Sequence, residues 1–301
     1  MNRPLDQQEA VLYGRFVDAA YKMFKRNPAL LKPEPQPGDI PDPYELVAWI
    51  NMSDFILGDE IPKFYGMIAR HRERKHNFVL AIRGTEGLIE WVDDAKVHLV
   101  PFRQVPHAGR VSEGFDRIYS TLRVRKRRRG ADGTFAVRAE GEAESAPEPT
   151  TDSFGQQLEK LADAVEEPTP AGAPRRSFVV TGHSLGAALA TLFVMENKER
   201  NKFDISTVCT FASPRVGNTE FARIFDQLPL DSWRIVNRQD IVPKVPFHIP
   251  MLFDYEHVET PYEFSSSGMV KCNPVCWHSM ATYLHWLDPA YPVEPECVRS
   301  N

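Results

Sequence analysis

The sequence is poor in cysteine, has no long apolar run and carries no excess of positive charge, and each absence excludes a class of protein. Four cysteines in 301 residues are too few for a scaffold held by disulfides. No apolar run approaches the ~20 residues of a membrane-spanning helix. The formal net charge of -5 gives no reason to expect a nucleic-acid partner. A packed globular protein remains, because 42% of the residues are hydrophobic.

The N-terminal residues also lack the apolar stretch of a secretory signal. Arg3 is the one basic residue among the first six, and no apolar run follows it. We therefore expect the cytoplasm as the default compartment, with secretion by another route left open. Contact with lipid would have to be peripheral.

The cysteines divide into one buried thiol and three candidates for a bridge. Cys209 lies in an apolar run and is predicted to be a buried free thiol. Cys272, Cys276 and Cys297 lie near the C-terminus, where one pair could form a local disulfide in an oxidising environment. Any such pair leaves the third cysteine unpaired.

Length and hydrophobic spacing favour one domain of strands and helices over residues 1–301. The spacing of apolar residues predicts an amphipathic helix over residues 6–25 and leaves residues 44–50 as either helix or strand. Residues 64–82 have the pattern of two antiparallel strands joined by a hairpin. From residue 177 onward strands alternate with helices, which predicts a largely parallel sheet.

Residues 123–151 differ in composition from the rest of the chain. A basic run from Arg123 to Arg129 gives way to glutamates and prolines, with almost no apolar periodicity. Such a segment cannot bury enough apolar surface to order itself, so we predict a disordered or mobile insertion. The alternative is that the arginine run binds an anionic surface.

The motif Gly182-His183-Ser184-Leu185-Gly186 has the context of a nucleophile elbow. An apolar strand over residues 177–181 precedes it and a predicted helix follows it. In so sharp a turn Ser184 takes strained backbone angles, and a side chain at Gly182 or Gly186 would clash with a neighbouring element. The helix points its positive end toward negative charge that develops at the serine. The alternative is a tight or phosphate-binding turn without catalysis.

A serine nucleophile needs a histidine to take its proton and a carboxylate to orient that histidine. In folds with this elbow both follow the serine along the chain. Asp240 follows the strand over residues 233–236 after a short loop and would lie at the carboxyl edge of the sheet. It is the first candidate, with a plain turn residue as the alternative. Asp226 and Asp231 precede the strand and would lie at its opposite end.

Four histidines later in the chain are candidates for the base. His183 is excluded, because beside the serine in the elbow it projects in another direction, and it is expected to pack. His248 lies in a proline-rich loop and His257 in a strand-like segment. His278 lies at the start of a predicted helix, where its side chain can extend from the loop that enters the helix. This position favours His278 as the base. His285 is two turns further on and is expected to pack.

Five ordered blocks of sequence resemble the fungal-type, or class 3, lipase family. The blocks are Ile82–Thr85, Gly114–Phe115, Thr181–Gly186, Phe211–Asn218 and Val236–Pro243. The resemblance spans about residues 65–284, interrupted by the insertion, and leaves the first forty residues uncovered. It implies an α/β-hydrolase variant: a mostly parallel central sheet flanked by helices.

The resemblance also assigns roles to individual residues. It implies a catalytic triad of Ser184, Asp240 and His278, and it gives His257 a structural role in a strand. It further implies that Thr85 supplies its backbone N–H and hydroxyl to an oxyanion hole and that Leu185 supplies a backbone N–H. No cofactor and no metal ion is expected.

A short acidic segment after Thr85 carries an apolar face. The apolar residues are Leu88, Ile89, Trp91 and Val92. In members of the family this position is similar to the lid, so residues 86–96 are expected to cover the site in water and to expose an apolar groove at a lipid surface. The alternative is a fixed helix packed on the core.

Together these features predict a serine carboxylic ester hydrolase that works through an acyl-serine intermediate. The first expectation is a triacylglycerol lipase or long-chain esterase, with an ester or lipid as substrate, peripheral contact with a lipid interface and no nucleic acid. A phospholipase A1 or a feruloyl-type esterase would keep the same triad. The alternative from another functional class is an interaction module with a hydrolase fold and no catalytic activity. The acyl-chain length and the oligomeric state are left open.

Overall fold

The strands of the protein change from antiparallel to parallel pairing beside the strand that carries the nucleophile. The computed structural model describes residues 3–54, 59–85, 98–128, 150–165, 175–246, 254–259 and 261–299. The strands are β1 (Tyr44–Asp54), β2 (Asp59–His71), β3 (Asn77–Ile82), β4 (Leu99–Pro101), β5 (Arg110–Ser112), β6 (Arg123–Lys126), β7 (Ser177–His183), β8 (Asp204–Phe211), β9 (Gly217–Asn218), β10 (Asp231–Asn237), β11 (Tyr255–Glu256) and β12 (Pro261–Phe264).

Eight of these described strands form one sheet in the order β12-β10-β8-β7-β3-β2-β1-β6. The strands from β3 to β12 in that order pair in parallel, as the alternation of strands and helices predicts. β2 pairs antiparallel with β3 and β1, which confirms the predicted hairpin and makes residues 44–50 a strand. The mostly parallel α/β class is therefore confirmed. The remaining four strands form a small sheet in the order β11-β9-β5-β4.

Helices cover both faces of the large sheet. They are α1 (Gln7–Arg26), α2 (Glu113–Tyr119), α3 (Phe154–Val165), α4 (Leu185–Arg200), α5 (Thr219–Phe225), α6 (Pro274–His278) and α7 (Met280–Leu287). One core lies between the sheet and α2 to α5, and α1 and α7 form a second core on the opposite face. None of the described helices is both long and apolar enough to cross a membrane.

Two helices matter most for placing the site. α1 begins after Asp6, whose carboxylate accepts hydrogen bonds from the N–H groups of Gln8 and Glu9 and so caps the helix. Its apolar stripe packs on the sheet as predicted. α4 starts at the nucleophile motif and is buried along most of its length, because it runs between the sheet and α2 and α3.

The prediction of disorder is wrong for the first residues of the insertion. Arg123–Lys126 form β6, which pairs antiparallel with β1 at the edge of the large sheet. Backbone hydrogen bonds order this strand, so it needs no apolar periodicity, and charged side chains are common on such edges. The side chain of Arg127 is buried and pairs with Glu34 at 2.6 Å. Residues 129–149 of the insertion lie outside the described residues.

One pair of the C-terminal cysteines forms a disulfide. Cys276 is bonded to Cys297, which fastens the C-terminal segment to α6. Cys272 is an exposed free thiol, and Cys209 is a buried free thiol, as predicted. The bridge therefore anchors the chain two residues before His278.

Replacing Cys276 and Cys297 together by serine should lower the free energy of unfolding. The bridge joins residues 21 apart, and closing a loop of that length in the unfolded chain stabilises the folded state by about 3 kcal/mol. Urea denaturation followed by tryptophan fluorescence measures the change. Cys272→Ser, which removes an exposed thiol outside the bridge, is the control and should unfold like the native protein. Equal stability of the double variant and the control would contradict the structural role of the bridge.

Candidate active site

Ser184 lies in a turn that has room only for glycine at two nearby positions. Its backbone has φ 58° and ψ -127°, a strained conformation for a residue with a side chain. A Cβ at Gly182 would lie 2.3 Å from the carbonyl oxygen of Gly186, and a Cβ at Gly186 would lie 2.2 Å from that of Ile82. The predicted reason for both glycines is therefore confirmed. The N–H of Ser184 donates to the carbonyl of Phe211 at 3.0 Å, which holds the turn against β8.

Asp240 lies just beyond the carboxyl end of β10 and is almost fully buried. One carboxylate oxygen accepts a hydrogen bond from His278 Nδ1 at 2.6 Å and another from the hydroxyl of Tyr283 at 2.8 Å. The other oxygen accepts from the N–H of Val242 at 3.0 Å. These three donors fix the direction of the carboxylate. Asp226 instead accepts from a backbone N–H in the turn after β11 and takes no part in this cluster.

The second ring nitrogen of His278 is the one that could act as a base. Because Nδ1 donates to Asp240, the neutral ring leaves Nε2 as a proton acceptor. Nε2 of His278 and Oγ of Ser184 are both buried, and neither has a hydrogen-bond partner among the described residues. The hydrogen bond between serine and histidine is thus not formed in this structure, as is common before substrate binds.

The backbone around His278 is held by side chains at three successive carbonyl groups. α6 is only five residues long, and its carbonyls lose helical partners where the chain breaks before α7. The carbonyl of Cys276 accepts from Thr282 Oγ1 at 2.7 Å and that of Trp277 from Asn237 Nδ2 at 2.7 Å. The carbonyl of His278 accepts from His183 Nε2 at 2.8 Å. The histidine is therefore positioned from its backbone as well as from its ring.

His183 does more than the packing expected of it. Its ring lies 4.5 Å from that of His278, and its Nδ1 accepts a hydrogen bond from the hydroxyl of Tyr21 at 2.8 Å. Burial and the neighbouring His278 hold the pKa of His183 well below its ordinary value, so the ring is neutral. His183 thus links α1 to the backbone of the candidate base.

The other histidines have structural partners or lie outside the described residues. His257 Nε2 donates to the carbonyl of Pro243 at 2.6 Å. Burial, with the charges of Arg234 and Arg215, lowers the pKa of His257 to about 3. His285 Nδ1 donates to the carbonyl of Tyr291, while His248 lies outside the described part of the chain. The structural role implied for His257 fits these contacts.

The residues implied for the oxyanion hole border the elbow. Gly84 passes so close to it that a Cβ there would lie 2.8 Å from Cβ of Ser184. Thr85 is the next residue and is buried. Leu185 is the first residue of α4, where a backbone N–H has no partner within the helix. Leu88, Ile89, Trp91 and Val92 lie outside the described residues.

Two tyrosines in this cluster were missed as site residues in the sequence. Tyr283 is one of the regularly spaced apolar positions of α7, and this spacing predicts packing. Tyr21 lies on α1, in the part of the chain without family resemblance. Each contacts the site through its hydroxyl group, and the spacing of apolar residues gives no information about hydrogen bonds of that group.

A cavity of about 210 Å³ adjoins the site, with Thr85 and His278 in its lining. Its lining includes charged side chains from α1 and from the C-terminal segment: Asp18, Lys25, Glu294 and Glu296. Two of these lining residues, Lys25 and Glu294, form an ion pair at 2.9 Å. In the described part of the chain, no three histidine, cysteine or acidic side chains are grouped so that they could hold a metal ion. The site therefore offers a serine, a base with its acid, and a pocket lined by both apolar and charged side chains.

Comparison with known proteins gives one family and one fold. The sequence profile of the class 3 lipase family matches residues 79–249. Phospholipase A1-II 1 of Oryza sativa subsp. indica is 28% identical over 221 aligned residues, which cover 70% of this chain and 50% of that protein. Phospholipase A1-II 4 of Oryza sativa subsp. japonica is 32% identical over 224 residues, again with 70% and 50% covered. The chain spans about half the length of these curated relatives.

Among solved structures, the nonglycosylated LIP2 lipase of Yarrowia lipolytica superposes with a TM-score of 0.59 at 23% identity. The superposition covers 86% of this chain and 80% of that one. At this level of identity the likeness shows the fold, which is that of the α/β-hydrolases.

Tyr283→Phe should lower kcat for ester hydrolysis about tenfold, because Asp240 then loses one of the donors that fix its direction toward His278. Tyr119→Phe is the matched control: the hydroxyl of Tyr119 also donates to a buried carboxylate, that of Glu196 at 2.5 Å, on the opposite face of the sheet. Steady-state kinetics with p-nitrophenyl butyrate and thermal unfolding compare the two. Loss of stability in both variants with kcat lowered equally in both would show that Tyr283 has no special part in the site.

Proposed function

The chain belongs to the class 3 lipase family, and on that basis we propose that it is a serine carboxylic ester hydrolase that acts on lipid esters. One observation carries the proposal: His278 Nδ1 donates to the buried carboxylate of Asp240 at 2.6 Å beside the strained elbow of Ser184. A serine, an aspartate and a histidine in this chain order are the components of an acyl-transfer site.

The reaction follows from the positions of these groups. Oγ of Ser184 attacks the acyl carbon while its proton passes to Nε2 of His278, and Asp240 stabilises the imidazolium that forms. The backbone N–H groups of Thr85 and Leu185 bind the carbonyl oxygen as it becomes negative. His278 then gives the proton to the departing alcohol oxygen. Water, activated by the same histidine, hydrolyses the acyl-serine and regenerates the enzyme.

We also propose that residues 86–96 act as a lid. Ser184 has no exposed surface, so a substrate reaches it only after part of the protein moves. This supports a site that opens at a lipid surface, with a triacylglycerol or another long-chain ester as the first candidate substrate. The disulfide of Cys276 favours a compartment that is oxidising rather than the cytoplasm.

Hydrolysis of p-nitrophenyl esters from acetate to palmitate tests the activity. The native protein should hydrolyse them with a maximum at long chains. Ser184→Ala and His278→Ala should each lose more than about a thousandfold in kcat, and Asp240→Asn about ten-thousandfold. His285→Gln is the control and should keep the native rate.

Absence of ester hydrolysis by the native protein would reject the proposed function. If His278→Ala keeps its activity while His257→Ala loses it, the base has been assigned to the wrong histidine. A maximum at acetate or butyrate would favour a small-substrate esterase over a lipase.

A phospholipase A1 is the second candidate. The charged wall of the cavity beside His278 favours it, because the departing alcohol leaves on the side of the group that protonates it. Lys25 could bind a phosphodiester there, and Glu296 could bind an ammonium group. The two Oryza sativa relatives carry the name phospholipase A1.

Lys25→Met should lower kcat/KM for phosphatidylcholine about tenfold relative to a diacylglycerol with the same acyl chains. The reason is the loss of one charge-assisted contact with the phosphate. Assays in mixed micelles give the ratio of the two rates. Lys160→Met removes an exposed lysine from α3, on the other face of the sheet, and serves as the control. An unchanged ratio in Lys25→Met would favour the neutral lipid as substrate.

A further inference from the structure

Arg83 is a fully buried arginine directly before the residues that border the serine. Its side chain is 1% exposed, and its guanidinium carbon lies 3.6 Å from the ring centre of Phe24 and 4.2 Å from that of Tyr65. Nε and one terminal nitrogen donate to the carbonyl of Phe64 at 3.0 and 2.7 Å. Aromatic faces and a carbonyl therefore hold the guanidinium in one orientation.

The other terminal nitrogen of Arg83 reaches the peptide bond that follows it. It donates to the carbonyl oxygen of Gly84 at 2.7 Å. In a planar trans peptide the C=O of Gly84 and the N–H of Thr85 point in opposite directions. Fixing the carbonyl against Arg83 therefore fixes the direction of the Thr85 N–H.

Tyr21 holds the preceding peptide in the same way. Its hydroxyl accepts the N–H of Gly84 at 2.7 Å and donates to Nδ1 of His183 at 2.8 Å. Gly84 is thus held at its N–H by Tyr21 and at its C=O by Arg83. Gly84 also has no room to carry a side chain, because a Cβ would lie 2.7 Å from the Tyr21 hydroxyl.

We propose that Arg83 and Tyr21 are positioning residues that preset the oxyanion hole by holding the Gly84–Thr85 peptide with its N–H directed at the reacting carbonyl oxygen. The inference rests on the proposed function, since it needs Ser184 to attack an ester. A donor that is already oriented requires no reorganisation when negative charge develops. The cation on the carbonyl side of the same peptide also polarises it, which makes the Thr85 N–H a stronger donor.

The same contacts connect the Gly84–Thr85 peptide with the backbone of His278. His183 receives the Tyr21 hydroxyl on one ring nitrogen and donates to the carbonyl of His278 from the other. Neutral His183 suits both bonds, because one nitrogen accepts and the other donates. The hydroxyl of Tyr21 thereby connects the oxyanion peptide with the backbone of the base through one side chain.

Tyr21→Phe tests the proposal by removing a single hydroxyl. With p-nitrophenyl butyrate we expect kcat to fall about tenfold and KM to stay within about twofold, a smaller loss than deleting an oxyanion donor itself causes. The inhibition constant of an alkyl trifluoromethyl ketone should rise by the same factor, because Ser184 Oγ adds to this ketone and creates an oxyanion. The inhibition constant of a fatty alcohol of equal length, which creates none, should stay unchanged.

Tyr13→Phe is the matched control. It makes the same substitution on the same helix, where the hydroxyl donates to Glu9 at 3.1 Å and contacts no residue of the site. It should keep the native kcat and ketone inhibition constant. If Tyr21→Phe matches Tyr13→Phe in both, or if it raises KM and the fatty-alcohol constant while kcat is unchanged, the proposal is overturned.

Arg83→Lys is the second variant that tests the proposal. Lysine keeps the charge but loses the planar fork that binds two carbonyls at once, so kcat and the ketone constant should change together by at least about tenfold. If this variant does not fold, as thermal unfolding would reveal, Tyr21→Phe decides alone. A native protein that hydrolyses no ester rejects the proposed function, whereas native hydrolysis with an inert Tyr21→Phe rejects only the positioning role.

Discussion

The site depends on how closely three segments of backbone pass around one serine. The end of β3, the turn after β7 and the start of α4 approach one another so tightly that Gly84, Gly182 and Gly186 have no room for a Cβ. The strained angles of Ser184 persist because these contacts leave the turn no other path. This crowding brings the backbone N–H groups of Thr85 and Leu185 to the border of the serine. Steric exclusion, rather than attraction between side chains, organises the centre of the molecule.

Around that centre, buried polar groups are joined in chains that cross between elements. One chain runs from Gly84 through Tyr21 and His183 to the backbone of His278, and another runs from His278 through Asp240 to Tyr283. In a medium of low polarity each such bond is strengthened, and each unmade one is costly. Burial keeps the pKa of Tyr283 well above its ordinary value, so its hydroxyl stays a donor to Asp240. The geometry of the site is therefore coupled to the folding of elements far apart in the sequence.

The steric crowding around Ser184 and the chains of buried hydrogen bonds differ in how well they can be predicted from a sequence. The elbow and its glycines could be predicted, because a steric demand allows few residue types and leaves a short motif. The hairpin and the parallel half of the sheet followed from hydrophobic spacing. The position of Asp240 at the carboxyl edge of the sheet followed from its place after β10, while its role as the catalytic acid stays a prediction. β6 could not be predicted, since a short, mostly basic edge strand is ordered by backbone pairing with β1 and by contacts with the helix Phe154–Val165, neither of which leaves a hydrophobic pattern. The role of Tyr21 could not be predicted either, because its hydroxyl contacts residues more than sixty positions away in the sequence. The lid over residues 86–96 stays a prediction.

α1 and the segment that follows α7 meet beside the site, and this has a consequence for the order of folding. Gln7 of α1 donates to the carbonyl of Leu287, and Lys25 pairs with Glu294. Glu294 is synthesised 269 residues after Lys25, so the part of α1 that contacts α7 and the segment after it stays uncovered until then. Contacts of such long sequence separation form late in folding. His278 likewise follows its backbone partner His183 by 95 residues. A nascent chain thus carries Ser184 before its base has been synthesised, so a reaction that needs both groups can begin only after His278 has joined its partners.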